Sequence, residues 1–445
     1  MVEEKSNRIL LVYTPLITNR LNYIFDFILN QELGLEYELC NDKDIFNKST
    51  KYKFSYSKDN LFPQFPFIQA HGILQNEEIQ KINIDIFIFE GQKAFFKSGE
   101  SSFFPFDIFA ASFYLISRYE EYLSYSTDKH GRFLANQSLA YNEGFLEEPL
   151  VNIWINAFII CLLKIFPALI FKPKKFDFLS TIDIDNAYAD LNKGLVRTSL
   201  SLAILLISFK IKSLFEKIKI LRHTNDDPYD NYDYLEKVHT KFQLKPIFFI
   251  LFSKYGKYDK NLSQSNAAFK RLILKIAENN EIGLHPSYQS NKSINILDDE
   301  KRKLERILNK PIENSRQHFL KLQFPSTYEN LLKINITKDF TMGYASMPGF
   351  RASVCSPFKY FNLIKNYETE LKVIPFEVMD ACYIHYLQIK PEIALKNIKK
   401  IITSVKKVNG LFVSLWHNET LGSKKDEMSW REVFEEMLEE IRNGN

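Results

Sequence analysis

Two aspartates close an apolar run in Phe178-Leu179-Ser180-Thr181-Ile182-Asp183-Ile184-Asp185. β-Branched and aromatic residues ended abruptly by charge predict a buried strand whose C-terminal end carries function. Residues i and i+2 of a strand point to the same side, so both carboxylates face one spot. Two like charges held that close call for a cation or a shared proton. Polar side chains recur at the ends of later apolar runs. His285 follows Gly283-Leu284, Arg316 and His318 stand in Ser315-Arg316-Gln317-His318, Asp380 follows Val378-Met379, and His417 follows Leu415-Trp416. Three of the eight histidines stand at such ends, and a His/Asp set of this kind suits zinc or another first-row divalent ion such as cobalt, nickel or manganese. A cation with an open position polarises a carbonyl and activates water, so hydrolysis is the chemistry expected.

Those residues need a scaffold that brings strand ends together. Strand-like runs at Phe176–Asp183, Pro246–Phe252, Glu281–His285, Asn314–Leu320, Ile336–Met342, Lys372–Met379 and Leu411–Trp416 alternate with helical patterns. Seven strands interleaved with helices predict a parallel β/α barrel or an open doubly wound sheet. In a barrel the C-terminal strand ends converge on one face, where catalysis is placed. The polar, proline-containing break Phe171-Lys172-Pro173-Lys174-Lys175 sets a boundary between residues 1–172 and 173–445. Ahead of it, strands at Arg8–Thr14, Tyr37–Leu39 and Ile82–Glu90 and a helix at Asn22–Asn30 predict a smaller α/β domain. A second helix there, Pro105–Tyr125, is capped by Asp107 and carries Arg118, Glu120 and Glu121.

At 445 residues the chain is long enough for two or three domains. A formal charge of +4 is small for this size and no Lys/Arg block dominates, so no nucleic-acid partner is expected. The four cysteines, Cys40, Cys161, Cys355 and Cys382, have no paired spacing and are expected to be reduced core residues. Met1 to Arg8 is charged and the apolar run after it is short, so no export signal is expected. Ile153–Phe171 is long enough to span a bilayer, but Asn156, Lys164 and Pro167 interrupt it, and a buried helix ending near Pro167 is expected instead. Leu200–Phe209 is too short to span and is followed by Lys210, Lys212 and Lys217, which leaves a core-facing helix or an interfacial one.

On these motifs the chain resembles a divergent polysaccharide deacetylase of the NodB-homology group, carbohydrate esterase family 4, over roughly Phe176 to His417. More narrowly it is similar to a bacterial subgroup with a separate N-terminal domain of unknown function. Phe106-Asp107, Ser117-Arg118-Tyr119-Glu120-Glu121, His130-Gly131-Arg132-Phe133 and Gly144-Phe145-Leu146 carry that similarity, as do Asp227-Pro228-Tyr229-Asp230, Gly349-Phe350-Arg351 and Pro357-Phe358. The resemblance implies a distorted (β/α)7 barrel behind the N-terminal α/β domain. It implies Asp183 as general base, Asp185 and His285 as metal ligands, Arg316 as the residue orienting the base, Asp380 as the acid of the fourth motif and His417 as general acid. The implied reaction is hydrolysis of an N-acetyl or O-acetyl group on a sugar of a bacterial surface polysaccharide or its precursor.

The sequence departs from the family's pattern at two places. Ile184 separates aspartates that are usually adjacent, and the usual second metal histidine is Gln289. A third ligand must come from elsewhere, and His318 is the candidate. If it does not, an inactive glycan-binding or scaffold protein of polysaccharide assembly is the alternative. Tyr188, Tyr288 and Trp416 are candidates for contact with a sugar ring, and Arg351 for an anionic sugar. No Gly-x-Ser-x-Gly elbow, phosphate loop or dinucleotide fingerprint occurs, which leaves serine-hydrolase and nucleotide chemistry without support. The expected setting is cytoplasmic, with peripheral contact at the inner membrane and the number of subunits left open.

Overall fold

The computed structural model describes residues 9–443; the charged start Met1–Arg8, on which the absence of an export signal was judged, lies outside the described residues. The N-terminal part holds strands β1 (Leu10–Tyr13), β2 (Tyr37–Cys40), β3 (Lys53–Ser57) and β4 (Phe67–Gln69), with a hairpin of β5 (Phe87–Phe89) and β6 (Gln92–Ala94). β1 to β4 form a parallel sheet in the order β2-β1-β3-β4. After the break come β7 (Asp177–Ile184), β8 (Ile247–Leu251), β9 (Glu281–His285), β10 (Asn314–Ser315), β11 (Lys338–Asp339), β12 (Phe358–Asn362), β13 (Tyr367–Val373), β14 (Val378–Met379) and β15 (Leu411–His417). They form one sheet in the order β12-β13-β11-β10-β9-β8-β7-β15-β14, parallel throughout except at the β12–β13 pair. The chain is thus mixed α/β, and among the described residues no pairing joins the two ends of this sheet into a closed barrel.

Period-2 alternation sorts the side chains of the central strands. Ile182 and Ile184 of β7, Phe248 and Ile250 of β8, and Ile282 and Leu284 of β9 point into the main core. On the other face Phe249, Phe340, Phe376, Val413 and Leu415 make a separate small cluster beneath the strand ends. A methyl group on Gly283 would fall 2.5 Å from the Phe249 ring, so this position of β9 must stay bare.

Element lengths differ from expectation where tertiary contacts prevail over local pattern. The expected helix Pro105–Tyr125 spans only Ile108–Ile116, with Asp107 accepting from the Ala110 amide as its cap. It stops because Arg118 takes a left-handed backbone (φ 54°) before a single 3-10 turn, Tyr119–Tyr122. That geometry buries the Arg118 guanidinium against Glu120 (2.7 Å), Glu121 (2.8 Å) and the Tyr344 hydroxyl (3.1 Å). Glu121 in turn receives Arg351 at 2.5 Å, so one buried ion network ties the two halves together. The apolar run at Ile153–Phe171 is a helix, Leu150–Ile165, that packs on the core and ends before Pro167. Cys40, Cys355 and Cys382 are buried, and all four cysteines are unpaired. No helix among the described residues is long and apolar enough to cross a membrane.

Candidate metal centre and catalytic cleft

β7 delivers the aspartates. Asp183 is buried at its C-terminal end, and Asp185 follows one residue past the strand, partly open to the cleft. Parallel pairing of β15 on β7 sets His417 directly across from Asp183. Pairing of β9 on β8 carries His285 to the same level as Leu251. The expected strand Asn314–Leu320 is only two residues long, after which the backbone turns through left-handed Phe319 (φ 59°) and Leu320 (φ 52°). Consecutive non-glycine residues in that region are unfavourable and persist where surrounding contacts hold them, commonly at functional sites. Here the turn is held by Arg132, whose guanidinium donates to the Phe319 carbonyl at 2.9 Å, and it brings His318 to the cleft.

Asp185, His285 and His318 each offer a ligand atom, and the three atoms lie within 4.8 Å of one another. Nε2 of His285 is 3.1 Å from Oδ1 of Asp185, and Nε2 of His318 is 3.3 Å from its Oδ2. The opposite ring nitrogens are already engaged. His285 Nδ1 lies 2.5 Å from the Arg316 carbonyl, and His318 Nδ1 lies 2.8 Å from Asp259 Oδ1. A carbonyl and a carboxylate can only accept, so both Nδ1 atoms carry the proton and a neutral ring presents its Nε2 lone pair to Asp185. Asp185 Oδ1 is buried and, despite the nearby His285, has no aligned hydrogen-bond donor. Lone pairs converging from a carboxylate and two imidazoles, each ring fixed from behind, fit a divalent cation.

The electrostatics agree. Burial works against the Asp185 charge, yet His318 and His285 hold it well below the usual carboxylate range. Burial likewise opposes charge on His318, but Asp185 and Asp259 reverse this and lift it to about 9. The same carboxylates that retain a proton there would favour a metal ion.

Two further pairs flank these residues. Arg316 donates to Asp183 Oδ1 at 2.7 Å and to the Phe340 carbonyl at 3.0 Å, with its guanidinium over the Phe249 ring at 4.4 Å. Asp183 Oδ2 remains on the cleft side, 3.7 Å from His285 Nε2. Asp380 holds His417 through both its ring Nδ1 and its backbone amide, each at 2.7 Å, and also accepts from Thr420. Burial would depress His417, but Asp380, with Asp185 and Asp183, raises it to about 10. Removing that carboxylate by Asp380→Asn should shift the alkaline fall of activity to lower pH, because an acid that ionises more easily loses its proton sooner. With His417 in the general-acid role that the resemblance implies, it should also slow turnover roughly a hundredfold. A pH–rate profile with an acetylated oligosaccharide checks both effects.

Asp183, Asp185, His285, His318 and His417 line a cavity of about 410 Å³. Its other wall comes from the N-terminal part, with Lys129, His130 and Arg132 facing His385 and Tyr386. Sequence reasoning did not see that the segment Asp128–Arg132 reaches across the molecule. It also missed Asp259, which sits in the loop after β8, donates nothing to a strand-end pattern and still orients His318. Replacing it by Asp259→Asn should weaken metal affinity by about 10- to 100-fold with little loss of fold, as measured by titration with Zn²⁺.

The four candidates for sugar contact lie elsewhere. Trp416 is buried against Phe434, because neighbouring strand residues face opposite ways and His417 takes the cleft side. Arg351 is buried on Glu121 and the Gly343 carbonyl, not at the mouth. Tyr188 packs near Tyr232, and Tyr288 packs against Tyr258 in a tilted pair while its hydroxyl meets His130 Nδ1 at 3.2 Å. Gln289 is exposed at the start of a 3-10 turn and is not among the residues that line the cavity.

Residues 10–167 match a family of unknown function, DUF7033. No curated protein matches the chain. Among solved structures, the chain is similar to a candidate polysaccharide deacetylase from Mycobacterium smegmatis, with 14% identity, 60% of this chain and 85% of that one covered, and a TM-score of 0.39. It is also similar to BA3943, a carbohydrate esterase family 4 pseudoenzyme from Bacillus anthracis, with 12% identity, 61% and 62% covered, and a TM-score of 0.31. A third, the carbohydrate deacetylase Agd3, matches at 8% identity over 98% of this chain and 87% of that one, with a TM-score of 0.38.

Proposed function

We propose that this chain is a metal-dependent hydrolase that removes acetyl groups from a sugar of a bacterial surface polysaccharide or its precursor. The observation that carries the proposal is the meeting of Asp185, His285 and His318 around one point, with Asp183 and His417 lining the same cavity. The resemblance of the strand-end residues, in order, to those of the polysaccharide deacetylases selects acetylated sugar from among amide and ester substrates. A distorted barrel for residues 173–445, behind a separate unit over 1–172, belongs to the same proposal.

A divalent cation, with zinc first in this nitrogen- and oxygen-donor set, would supply Lewis acidity toward the acetyl carbonyl. The protein's own groups do the rest. Asp183 accepts the proton of the attacking water at Oδ2, while Arg316 fixes Oδ1. His417, with Nδ1 tied to Asp380, delivers a proton from the remaining ring nitrogen to the departing amine or alcohol. Lys129, Arg132 and Tyr386 offer donors for sugar hydroxyls on the facing wall.

His318 supplies the third ligand position that Gln289 does not fill, which favours catalysis over an inactive glycan binder. The test is acetate release from N-acetylated oligosaccharides by the full chain with added Zn²⁺ or Co²⁺. Release that disappears on chelation supports the proposal; tight oligosaccharide binding with no acetate released under any metal supports the binder.

A further inference from the structure

The connection from β7 to β8 contains two helices, Leu195–Ile207 and Ile211–Leu221. The first reads LVRTSLSLAILLI, and none of its residues is buried. Leu195 is 87% exposed, Leu200 61%, Ile207 75% and, in the turn between the helices, Phe209 86%. Ile211 and Phe215 extend the same apolar surface onto the second helix. Nowhere else among the described residues do so many large apolar side chains stand together in solvent. A contiguous patch of this kind marks an interaction surface.

Charge says what covers it. Lys210, Lys212, Lys219 and Arg222 are exposed along the hairpin against the single acid Glu216, while Lys217 is buried on Asp190. Three more exposed lysines, Lys254, Lys257 and Lys260, stand on the loop after β8. The hairpin is pinned to that loop by Arg197, which donates to the Asn261 and Lys260 carbonyls at 3.2 and 3.0 Å and lies 4.1 Å from the Tyr255 ring centre. A helix of 13 residues is roughly 20 Å long, too short for the ~30 Å apolar core of a bilayer. An exposed apolar face rimmed by cations and too short to span is the composition of a helix that lies in a lipid–water interface.

We infer that the hairpin 195–221 is an interfacial anchor that seats this chain on an anionic lipid bilayer. The hairpin starts from the end of β7 that carries Asp183 and Asp185, and the loop it grips supplies Asp259 to His318. Seating therefore sets the cleft beside the membrane surface. Lipid binding is independent of hydrolysis; that the substrate is a glycan carried at a membrane rests on the function proposed above.

The experiment is co-sedimentation of the full chain with vesicles of phosphatidylcholine alone or with a quarter phosphatidylglycerol. Binding to the anionic vesicles should exceed binding to the neutral ones about tenfold and fall at roughly 0.5 M salt. The combined variant Leu200→Ser/Ile204→Ser/Ile207→Ser/Phe209→Ser should lose binding about tenfold or more, with an unchanged circular dichroism spectrum because all four side chains are more than half exposed. The variant Lys210→Glu/Lys212→Glu/Lys219→Glu should lose the preference for anionic lipid. Equal recovery with both vesicles, or binding that survives the apolar substitutions, would overturn the inference. So would a dimer in sedimentation equilibrium that the apolar substitutions abolish without any vesicle binding, which would assign the face to a second copy. Because the readout is lipid binding, its failure leaves the hydrolase proposal standing, and failure of hydrolysis leaves the anchor.

Discussion

Asp183→Asn is expected to cut acetate release by roughly a hundred- to ten-thousandfold, the range lost with a general base. Two effects must be separated, because Asp183 is also, among the described residues, the carboxylate that pairs directly with the fully buried Arg316. Asparagine would remove the guanidinium's direct ion-pair partner, at a cost of about 3–5 kcal/mol. The double variant Asp183→Asn/Arg316→Met resolves the ambiguity. Removing both charges and filling the space among Phe249, Phe340 and Phe376 should recover much of the stability, since apolar replacement of a buried pair is often neutral. Activity should stay lost, because no other carboxylate in the cleft is held by Arg316. Denaturant midpoints and acetate release on the two variants check this. Recovery of activity with stability would mean that Asp183 is structural.

The second large effect is on folding. Glu121 lies between Arg118 and Arg351, all three buried, and joins the part that contains β1–β6 to the part that contains β7–β15. Burial opposes its charge, but Arg351 and Arg118 more than compensate and hold its carboxyl below the ordinary value. Glu121→Ala leaves Arg351 without its carboxylate, on the Gly343 carbonyl, and leaves Arg118 with Glu120 and the Tyr344 hydroxyl. A loss of about 3–5 kcal/mol is expected, a large share of a total stability near 5–15 kcal/mol. The measurement is urea unfolding followed by tryptophan fluorescence, where a midpoint within error of wild type would show that the network contributes nothing. The carboxylate is needed for as long as Arg351 stays charged, so no accessible alkaline pH should relieve the defect.

Much of the cleft was legible in the sequence because it is built on strand ends. Asp183, Asp185, His285 and His417 each close an apolar run, and the parallel register brings such ends level. The same alternation that points His417 to the cleft sends Trp416 outward to Phe434, so its proposed sugar contact already conflicted with the strand it sits on. His318 reaches the cleft on a different backbone from the one expected. It was expected beside Arg316 on a strand, whereas a turn through left-handed Phe319 presents it and Arg316 goes inward to Asp183. No local pattern encodes that turn, which depends on Arg132 from nearly two hundred residues earlier. Asp259 and the Asp128–Arg132 segment were hidden for the same reason: loops carry no periodicity, and their partners lie far away in sequence. Arg351 looked like a residue free to meet an anionic sugar, but it is consumed by Glu121, a pairing invisible without the third dimension. The strand Phe358–Asn362 was missed because it is an antiparallel edge strand outside the β/α alternation that organised the rest.

The most direct test of the account is the metal content of the purified full chain, set beside that of its His318→Ala, His285→Ala and Gln289→Ala variants. About one divalent ion per chain is expected for the wild type and for Gln289→Ala, with occupancy lost in both histidine variants. A wild-type protein that takes up no ion from excess Zn²⁺, or a His318→Ala variant that binds as tightly as wild type, would contradict the assignment of Asp185, His285 and His318 to a single cation.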